Sequence, residues 1–261
     1  MKIVVCIKQV PDTTEVRIDP KTGTLIREGV PSIINPDDLG GLEAALRLKD
    51  SLGAEVAVLS MGPPQADVAL REALAMGADR AILLSDRAFS GADTWATSYT
   101  LAAALTKIGF DLIIAGRQAI DGDTAQVGPQ IAEHLHIPVV TYVKDIEKVF
   151  DGLVVKRMFE DGYQKIKIKT PCLLTVLKEI NAPRYMRVSG IFDAYKEKTV
   201  ELWTVKDIDV DLNLIGLKGS PTRVNKSFTK GAKTAGKVFT ATPQESAHLI
   251  VEKLKEKFLI G

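Results

Sequence analysis

The chain has 261 residues, a formal net charge of +1 at pH 7, 46% hydrophobic residues and 26% charged residues. This balance is typical of one large α/β domain or two small ones, and it excludes a strongly charged surface for nucleic acid or membrane. No apolar run approaches the roughly 20 residues that span a bilayer. Pro11 and Asp12 stand where a signal peptide would have its small-residue cleavage site, so we expect a soluble, cytoplasmic protein.

Strands and helices alternate through the first half of the chain. Apolar runs predict strands over Lys2–Val10, Ala54–Met61, Arg80–Leu84, Asp111–Ala115 and Val139–Val143. Helical spacing of apolar residues predicts helices over Asp37–Leu52, Gln65–Met76, Asp93 or Thr94 to Ile108, and Thr124–Leu135. This alternation predicts an α/β fold with a Rossmann-like, mostly parallel sheet and helices on both faces.

The pattern changes after residue 144. Two Asp-Gly pairs, Asp151-Gly152 and Asp161-Gly162, predict hairpin turns and hence added antiparallel strands. The predicted strands of this region are Ile146–Val149, Leu153–Phe159, Gln164–Ile168 and Cys172–Leu177. The last of them is apolar enough to return to the interior of the sheet. Its Cys172, like Cys6 in the first strand, is therefore predicted to be a buried, unpaired thiol.

The C-terminal region loosens into a loop, an arm and a final helix. Residues 181–198 predict a loop leading into a short helix, and residues 216–237 contain six basic and no acidic residues, which is typical of an extended arm. An amphipathic helix is predicted over Pro243–Phe258, with Thr242 and Glu245 forming a capping box. We therefore expect a nucleotide-binding α/β domain over residues 1–215, and a C-terminal arm and helix over residues 216–261.

Several common site patterns are absent or incomplete. The stretch GAKTAGKV at residues 231–238 resembles a phosphate-binding loop, but Val238 occupies the position of the magnesium-binding hydroxyl. The chain has no GxGxxG motif, and His134 and His136 are expected to be ordinary residues at a helix end rather than metal ligands. Three histidines and two buried cysteines leave little for side-chain catalysis. We expect a protein that positions a reactive group rather than one that supplies it.

The loop GRQAIDGDTAQVG, residues 116–128, follows a buried strand and contains three glycines and two aspartates. Ligands of open parallel sheets bind outside the carboxyl ends of the strands, and a helix start there can hold a phosphate. The amides of Thr124 to Val127 are the expected donors. This pattern predicts an adenine-nucleotide site, while the alternative is a simple turn with a helix cap. Asp121 and Asp123 would face a ribose hydroxyl, cap the helix or pair with a basic residue.

The residues resemble the beta subunits of electron-transferring flavoproteins over essentially the full chain. Four stretches carry the resemblance: Val5–Val10; Ile34-Asn35-Pro36 leading into Leu42–Lys49; Ala73–Arg80 followed by the GRQAIDGDTAQVG loop; and Val155–Arg157, Glu160–Gly162, Gln164, Ile166 and Pro171–Thr175. The resemblance implies a heterodimer whose alpha subunit carries an FAD and whose beta subunit holds an adenine nucleotide. That nucleotide is AMP in ordinary members and a second FAD in the electron-bifurcating branch.

Three features resemble the bifurcating branch more than ordinary members of the family. Arg117 stands where ordinary members have lysine, Gly122 stands where they have aspartate, and Val10–Thr13 matches the start of bifurcating members. Gly122 lacks a carboxylate that would repel a second phosphate, so we expect FAD, with AMP as the alternative. The resemblance then implies that NADH reduces this FAD. One electron would pass to ferredoxin or flavodoxin, and the other through the alpha-subunit FAD to an acyl-CoA dehydrogenase-type partner. A non-redox nucleotide-binding module is the second alternative.

The resemblance also assigns roles to individual residues. Cys6, Asn35 and Met61 would frame the adenosine. The ribose and phosphates would be held by Gly116, Arg117, Gln118, Asp121, Gly122, Asp123, Thr124, Gln126 and Val127. Residues 181–198 resemble the partner-recognition loop of the family, with docking residues Arg184, Tyr185 and Val188. The C-terminal arm and helix would bind the alpha subunit.

Overall fold

The structure is a computed structural model that describes residues 1–12, 17–18, 25–26, 31–222 and 236–260. The chain divides into two compact units, Met1–Asn225 and Lys226–Gly261. Within the described residues of the first unit, the strands are β1 (Lys2–Cys6), β2 (Gln9–Pro11), β3 (Arg17–Ile18), β4 (Leu25–Ile26), β5 (Ser32–Ile34), β6 (Glu55–Met61), β7 (Arg80–Leu84), β8 (Leu112–Gly116), β9 (Val139–Val149), β10 (Gly152–Phe159), β11 (Gly162–Ile168), β12 (Cys172–Val176) and β13 (Val200–Trp203).

Helices connect most of these strands. The α-helices of the first unit are α1 (Pro36–Leu52), α2 (Asp67–Met76), α3 (Thr94–Ile108), α4 (Val127–His134), α5 (Val188–Lys196) and α6 (Gly216–Gly219). Shorter 3₁₀ helices occur at Pro64–Ala66, Arg87–Phe89, Lys178–Ile180 and Val205–Asp207. Capping residues stand at the start of α3 and at the end of α1. Asp93 accepts hydrogen bonds from the first amides of α3, and Gly53 closes α1 in a left-handed conformation.

A nine-stranded sheet has the order β11-β10-β9-β12-β8-β1-β6-β7-β13. The seven strands from β9 to β13 in that order are parallel, while β10 and β11 extend the sheet as antiparallel hairpins. Strand β1 lies between β6 and β8, with Cys6 opposite both Leu59 and Ala115. The predicted α/β fold is therefore confirmed, including its antiparallel hairpin strands.

Alternate residues of each strand pack on opposite faces of this sheet. Ile3 and Val5 of β1 join the cluster that includes α1 and α2, whereas Val4 and Cys6 join the cluster that includes α3 and α4. Helices thus cover both faces of the sheet. Because both faces are buried, the sequences of the parallel strands are continuous apolar runs. Cys6 and Cys172 are both buried and free, as predicted.

Several predicted elements differ from the structure. The run Lys2–Val10 is two strands, because the chain leaves the sheet after Cys6 and β2 pairs with β5 in a separate small sheet. Helix α4 begins at Val127 rather than Thr124, since Asp123 and Ala125 both have positive φ values. The predicted strands 139–143 and 146–149 form the single strand β9. Strand β13 was missed because it is a four-residue edge strand.

The first residues of the predicted arm belong to the first unit. Helix α6 contacts α3, and the N–H of Leu217 donates to the carbonyl of Ser90 at 2.9 Å. Gly216 is required at the start of α6 because its φ is +56° and a side chain there would overlap the carbonyl of Ala88. Residues 223–235, which make up most of the predicted arm, lie outside the described residues.

In the second unit, α7 (Pro243–Glu256) confirms the predicted final helix. Thr242 and Glu245 form the predicted capping box, in which the N–H of Thr242 donates to Glu245 Oε2 at 2.9 Å and the N–H of Glu245 donates to Thr242 Oγ1 at 3.4 Å. The helix ends at Glu256, two residues before the predicted end, because Phe258 has a positive φ. None of the helices in the described ranges is long and apolar enough to cross a membrane.

Candidate functional site

A cavity of about 610 Å³ opens at the carboxyl edge of the nine-stranded sheet. Its walls come from the ends of β1 and β6, the loop after β8, the turn before α3 and the first turn of α4. The cavity lies where β1 adjoins β8, the point at which the strand order reverses direction. Open parallel sheets bind their ligands at this topological switch point. The location therefore agrees with the site that the sequence predicts.

Asp38 joins the two strand ends at this point. Its Oδ2 accepts a hydrogen bond from the N–H of Lys8 at 2.8 Å, and its Oδ1 accepts one from the N–H of Gly116 at 2.9 Å. Burial is the main influence on this carboxyl group and raises its pKa to about 7, although hydrogen bonds from Asn35, Lys8 and Gly116 oppose the rise. Sequence reasoning missed Asp38 as a cavity residue. The available signal was an acidic residue in the first turn of a helix that follows Asn35-Pro36.

Gly116 allows this close approach. A side chain at position 116 would overlap Oδ1 of Asp38 and approach Cβ of Asp37 to 2.8 Å. Arg117 comes next, and its Nε lies 3.4 Å from Oδ2 of Asp37, which makes an ion pair without hydrogen-bond geometry. Both residues line the cavity. The glycine is thus needed for packing against α1, and the arginine contributes a positive charge beside the cavity.

Asn35 has a different part from the one predicted for it. It is fully buried and does not line the cavity. Its Nδ2 donates to the carbonyl of Gln118 at 2.9 Å, and its Oδ1 accepts from the N–H of Ile120 at 3.1 Å. Asn35 therefore fixes the loop after β8 from behind, rather than framing a ligand directly.

The two aspartates of the loop after β8 are also not among the residues that line the cavity. Both carboxylate oxygens of Asp121 lie 2.8 Å from Nζ of Lys8, and Asp123 accepts a hydrogen bond from Nε2 of Gln118 at 2.7 Å. Neither aspartate caps α4. The sequence predicted a ribose contact, a helix cap or a basic partner for these aspartates. Asp121 has a basic partner, whereas Asp123 has a glutamine partner that was not predicted. The charge of Asp121 is thus paired with that of Lys8, whereas Asp123 accepts a hydrogen bond from a neutral side chain.

Helix α4 presents an open N-terminus to the cavity. Its first turn contains no acidic residue, and no side chain caps it. The N–H groups of Val127 and Gly128 have no partner within the helix, and Pro129 has no N–H. Gly128 lies so close to β12 that a Cβ there would be 2.5 Å from Cγ2 of Thr175. A helix start without a cap is an anion-binding feature, because the dipole and the free amides both favour negative charge.

Gly122 and Cys6 both line this cavity. No heavy atom lies within 4 Å of the position that a Cβ at residue 122 would take, so this glycine faces open space. Cys6 is buried, and burial is the largest cause that raises the pKa of its thiol to about 12. The thiol is therefore neutral, and it provides a small packing surface rather than a nucleophile.

The structure brings nine of the twelve predicted cofactor residues to the cavity: Cys6, Met61, Gly116, Arg117, Gln118, Gly122, Thr124, Gln126 and Val127. Asn35, Asp121 and Asp123 stand behind or beside it, with the partners described above. Sequence reasoning missed further lining residues, among them Asp38, Phe89, Asp93, Thr94, Thr97 and Thr222. Several of these come from the turn before α3 and from the chain after α6, which only the folded topology places near β8.

The predicted docking residues lie on a segment that contacts α1. Tyr185 and Val188 are 97% and 86% exposed, whereas Arg184 is held by carboxylates of α1.

Within the described residues, no group of three or more histidine, cysteine, aspartate or glutamate side chains could hold a metal ion. His134 packs its ring edge against Trp95 and contacts Ser98 Oγ at 3.2 Å.

Comparison with known proteins finds a matching family and close relatives of this chain. Residues 22–208 match the family described as the electron transfer flavoprotein domain. The electron transfer flavoprotein subunit beta of Clostridium acetobutylicum is 62% identical over 260 residues. The caffeyl-CoA reductase-Etf complex subunit CarD of Acetobacterium woodii is 60% identical over 263 residues. The acryloyl-CoA reductase electron transfer subunit gamma of Anaerotignum propionicum is 50% identical over 268 residues. Each alignment covers 100% of both chains.

Proposed function

The chain belongs to the electron transfer flavoprotein family as a beta subunit, and from that premise we propose that its cavity binds FAD. In this proposal the chain forms a heterodimer with an alpha subunit that carries another FAD. When bound, the FAD of the beta subunit would supply a path for electrons from NADH to ferredoxin or flavodoxin and, through the alpha subunit, to an acyl-CoA dehydrogenase-type enzyme. The protein places the flavin, and the flavin supplies the redox chemistry when it is bound.

The open start of α4 is the observation that carries this proposal. Val127 and Gly128 begin α4 without a side-chain cap and line the same cavity as Arg117, and the nearby Asp121 is paired with Lys8. Such a start suits a pyrophosphate, since the free amides and the helix dipole both attract negative charge. Cys6 and Met61, at the ends of β1 and β6, would frame the adenosine.

Gly122 favours FAD over AMP. The position faces open space in the cavity wall, so a carboxylate there would fit without steric conflict but would add negative charge. Its absence leaves room for the second phosphate of a dinucleotide. A beta subunit that holds AMP is the second candidate. A non-redox nucleotide-binding module is the third, and it would leave the exposed docking segment without a use.

The names of two relatives support the choice of partner. One is a subunit of a caffeyl-CoA reductase complex, and the other is an electron transfer subunit of an acryloyl-CoA reductase. Both names join an electron transfer subunit to an enzyme that acts on a CoA thioester. We extend this relationship to the chain and propose an acyl-CoA dehydrogenase-type partner.

The test is NADH oxidation by the purified heterodimer, measured with ferredoxin alone, with an acyl-CoA dehydrogenase and its enoyl-CoA alone, and with both acceptors together. Bifurcation predicts that ferredoxin is reduced only when both acceptors are present, because each NADH must supply both paths. If NADH is never oxidised although the alpha-subunit flavin is present, the AMP alternative is favoured. A heterodimer without any flavin would contradict the electron-transfer assignment.

A further inference from the structure

Arg184 is the main side-chain attachment of the docking segment, residues 181–198, to helix α1. Its backbone N–H donates to Glu43 Oε2 at 3.1 Å, its Nε donates to the same oxygen at 2.8 Å, and its Nη2 donates to Glu43 Oε1 at 3.2 Å. Nη2 also donates to Asp50 Oδ2 at 2.8 Å. The guanidinium group is therefore already engaged within the chain.

Glu43 makes this attachment specific. It is 3% exposed, and its only other hydrogen bond among those described comes from Arg47 Nε at 3.1 Å, one helical turn along α1. Burial raises the pKa of Glu43, but hydrogen bonds from Arg184 and Arg47 outweigh that effect and leave the pKa below its ordinary value. A buried carboxylate that loses its partner carries a large desolvation cost. The fork of Arg184 is thus held in one geometry.

The same helix also contacts the cavity and the residues just before the docking segment. Asp38 in its first turn binds the amides of Lys8 and Gly116, and Oδ1 of Asp37 accepts from the N–H of Lys178 at 3.0 Å. Helix α1 therefore links the cavity wall at one end to the docking segment along its side. A rigid helix holds two such attachments at a fixed separation.

We propose that Arg184 and Glu43 are a positioning pair that presents the docking segment to the partner enzyme at a fixed distance from the cavity. This inference rests on the proposed function. It gives Arg184 a different role from partner contact, which falls instead to the neighbouring exposed residues Tyr185 and Val188. Electron transfer to the protein partner depends on the pair, whereas binding of the flavin does not.

The test uses the full-length heterodimer and compares Arg184→Gln, Glu43→Gln, the double variant and Arg47→Gln. The readouts are the flavin content, the reduction of a small dye that needs no docking, and the reduction of an acyl-CoA dehydrogenase that the wild-type heterodimer reduces. Arg47→Gln is the matched control, because it removes a hydrogen bond from Glu43 without touching the docking segment.

For Arg184→Gln and Glu43→Gln we expect the apparent KM for the dehydrogenase to rise about tenfold, because a docking segment that has lost this attachment must be ordered again when the partner binds. The double variant should match the single variants, because both remove the same contact. Arg184→Lys should restore part of the loss. An unchanged KM in both single variants, or a loss of flavin equal to the loss of docking, overturns the proposal. A wild-type heterodimer that reduces no dehydrogenase would instead count against the proposed function.

Discussion

Gly116 donates its backbone N–H to the buried carboxylate of Asp38, and no side chain fits at position 116 without displacing that carboxylate. This contact ties the end of β8 to the first turn of α1. Because Asp38 also accepts from the N–H of Lys8, it holds together the ends of the two strands between which the cavity opens. The shape of the candidate site thus depends on one glycine and one aspartate.

The first prediction concerns that glycine. Gly116→Ala should weaken FAD binding to the heterodimer by about tenfold or more, because overpacking a tight contact typically costs about 1–3 kcal/mol. The matched control is Gly162→Ala, which adds the same methyl group where no atom lies within 4 Å and where the residue does not line the cavity. Fluorescence titration of flavin-depleted heterodimer with FAD measures both affinities. Equal affinities for the two variants would contradict the packing argument.

The second prediction tests the choice between FAD and AMP. Gly122→Asp should weaken FAD binding more than AMP binding, because the added carboxylate would stand beside the place that the proposal gives to the second phosphate, which AMP lacks. Gly122→Asn adds a side chain of the same shape without charge, and it should affect both ligands about equally. Calorimetric titrations with FAD and with AMP give the comparison. If Gly122→Asp weakens both ligands to the same extent, charge at this position does not select the cofactor.

The third prediction follows from the pKa of Asp38, which burial raises to about 7 in the folded protein and which is about 3.9 in an unfolded chain. Between those values the folded state binds the extra proton. The contribution of Asp38 to stability is therefore present below about pH 4 and is lost as the pH rises toward 7, by at most about 1.4 kcal/mol per pH unit.

Asp38→Asn has no group that titrates in this range. The free energy of unfolding of the wild-type chain, minus that of the variant, should therefore fall as the pH rises from about 4 to about 7. Urea titrations of both proteins across this range provide the measurement. A difference that does not change with pH would show that Asp38 is ionised throughout.

The fourth prediction concerns α7. Removal of residues 239–261 should abolish assembly with the alpha subunit and leave the α/β unit folded, because the first unit has its own core. Ile250→Asp should weaken assembly by itself, since Ile250 is a large apolar side chain that is 59% exposed. Glu252→Ala on the polar side is its control. Size-exclusion chromatography of the co-expressed subunits would contradict this account if the truncated chain still elutes as a heterodimer.

The parts of the fold that obey local rules could be predicted from sequence. Helices α1 and α3 follow from apolar spacing and caps, and the hairpins follow from their Asp-Gly turns. The start of α4 could not be predicted in this way, because Asp123 and Ala125 take positive φ values that their residue types rarely adopt. The hydrogen bond from Gln118 to Asp123 within the folded loop contributes to that conformation.

The residues of the candidate site likewise divide into those that could be predicted from the sequence and those that could not. Residues of the loop after β8 could be identified from its glycines and from its place behind an apolar strand. The hydrogen-bond partners of Asn35 and Asp38 in this loop could not be predicted. Asn35 bonds to Gln118 and Ile120, and Asp38 bonds to Gly116, and each of these pairs is 78 or more positions apart in the chain. Arg184 was assigned to docking from its position in the segment, and its contact with Glu43 emerged only from the packing of that segment on α1.

The nucleotide content of the heterodimer tests the central claim most directly. The measurement is denaturation of the purified complex, followed by chromatographic quantification of the FAD and AMP released per heterodimer. The account predicts two FAD and no AMP, one FAD coming from the alpha subunit and the other from the cavity between β1 and β8. One FAD together with one AMP would contradict it.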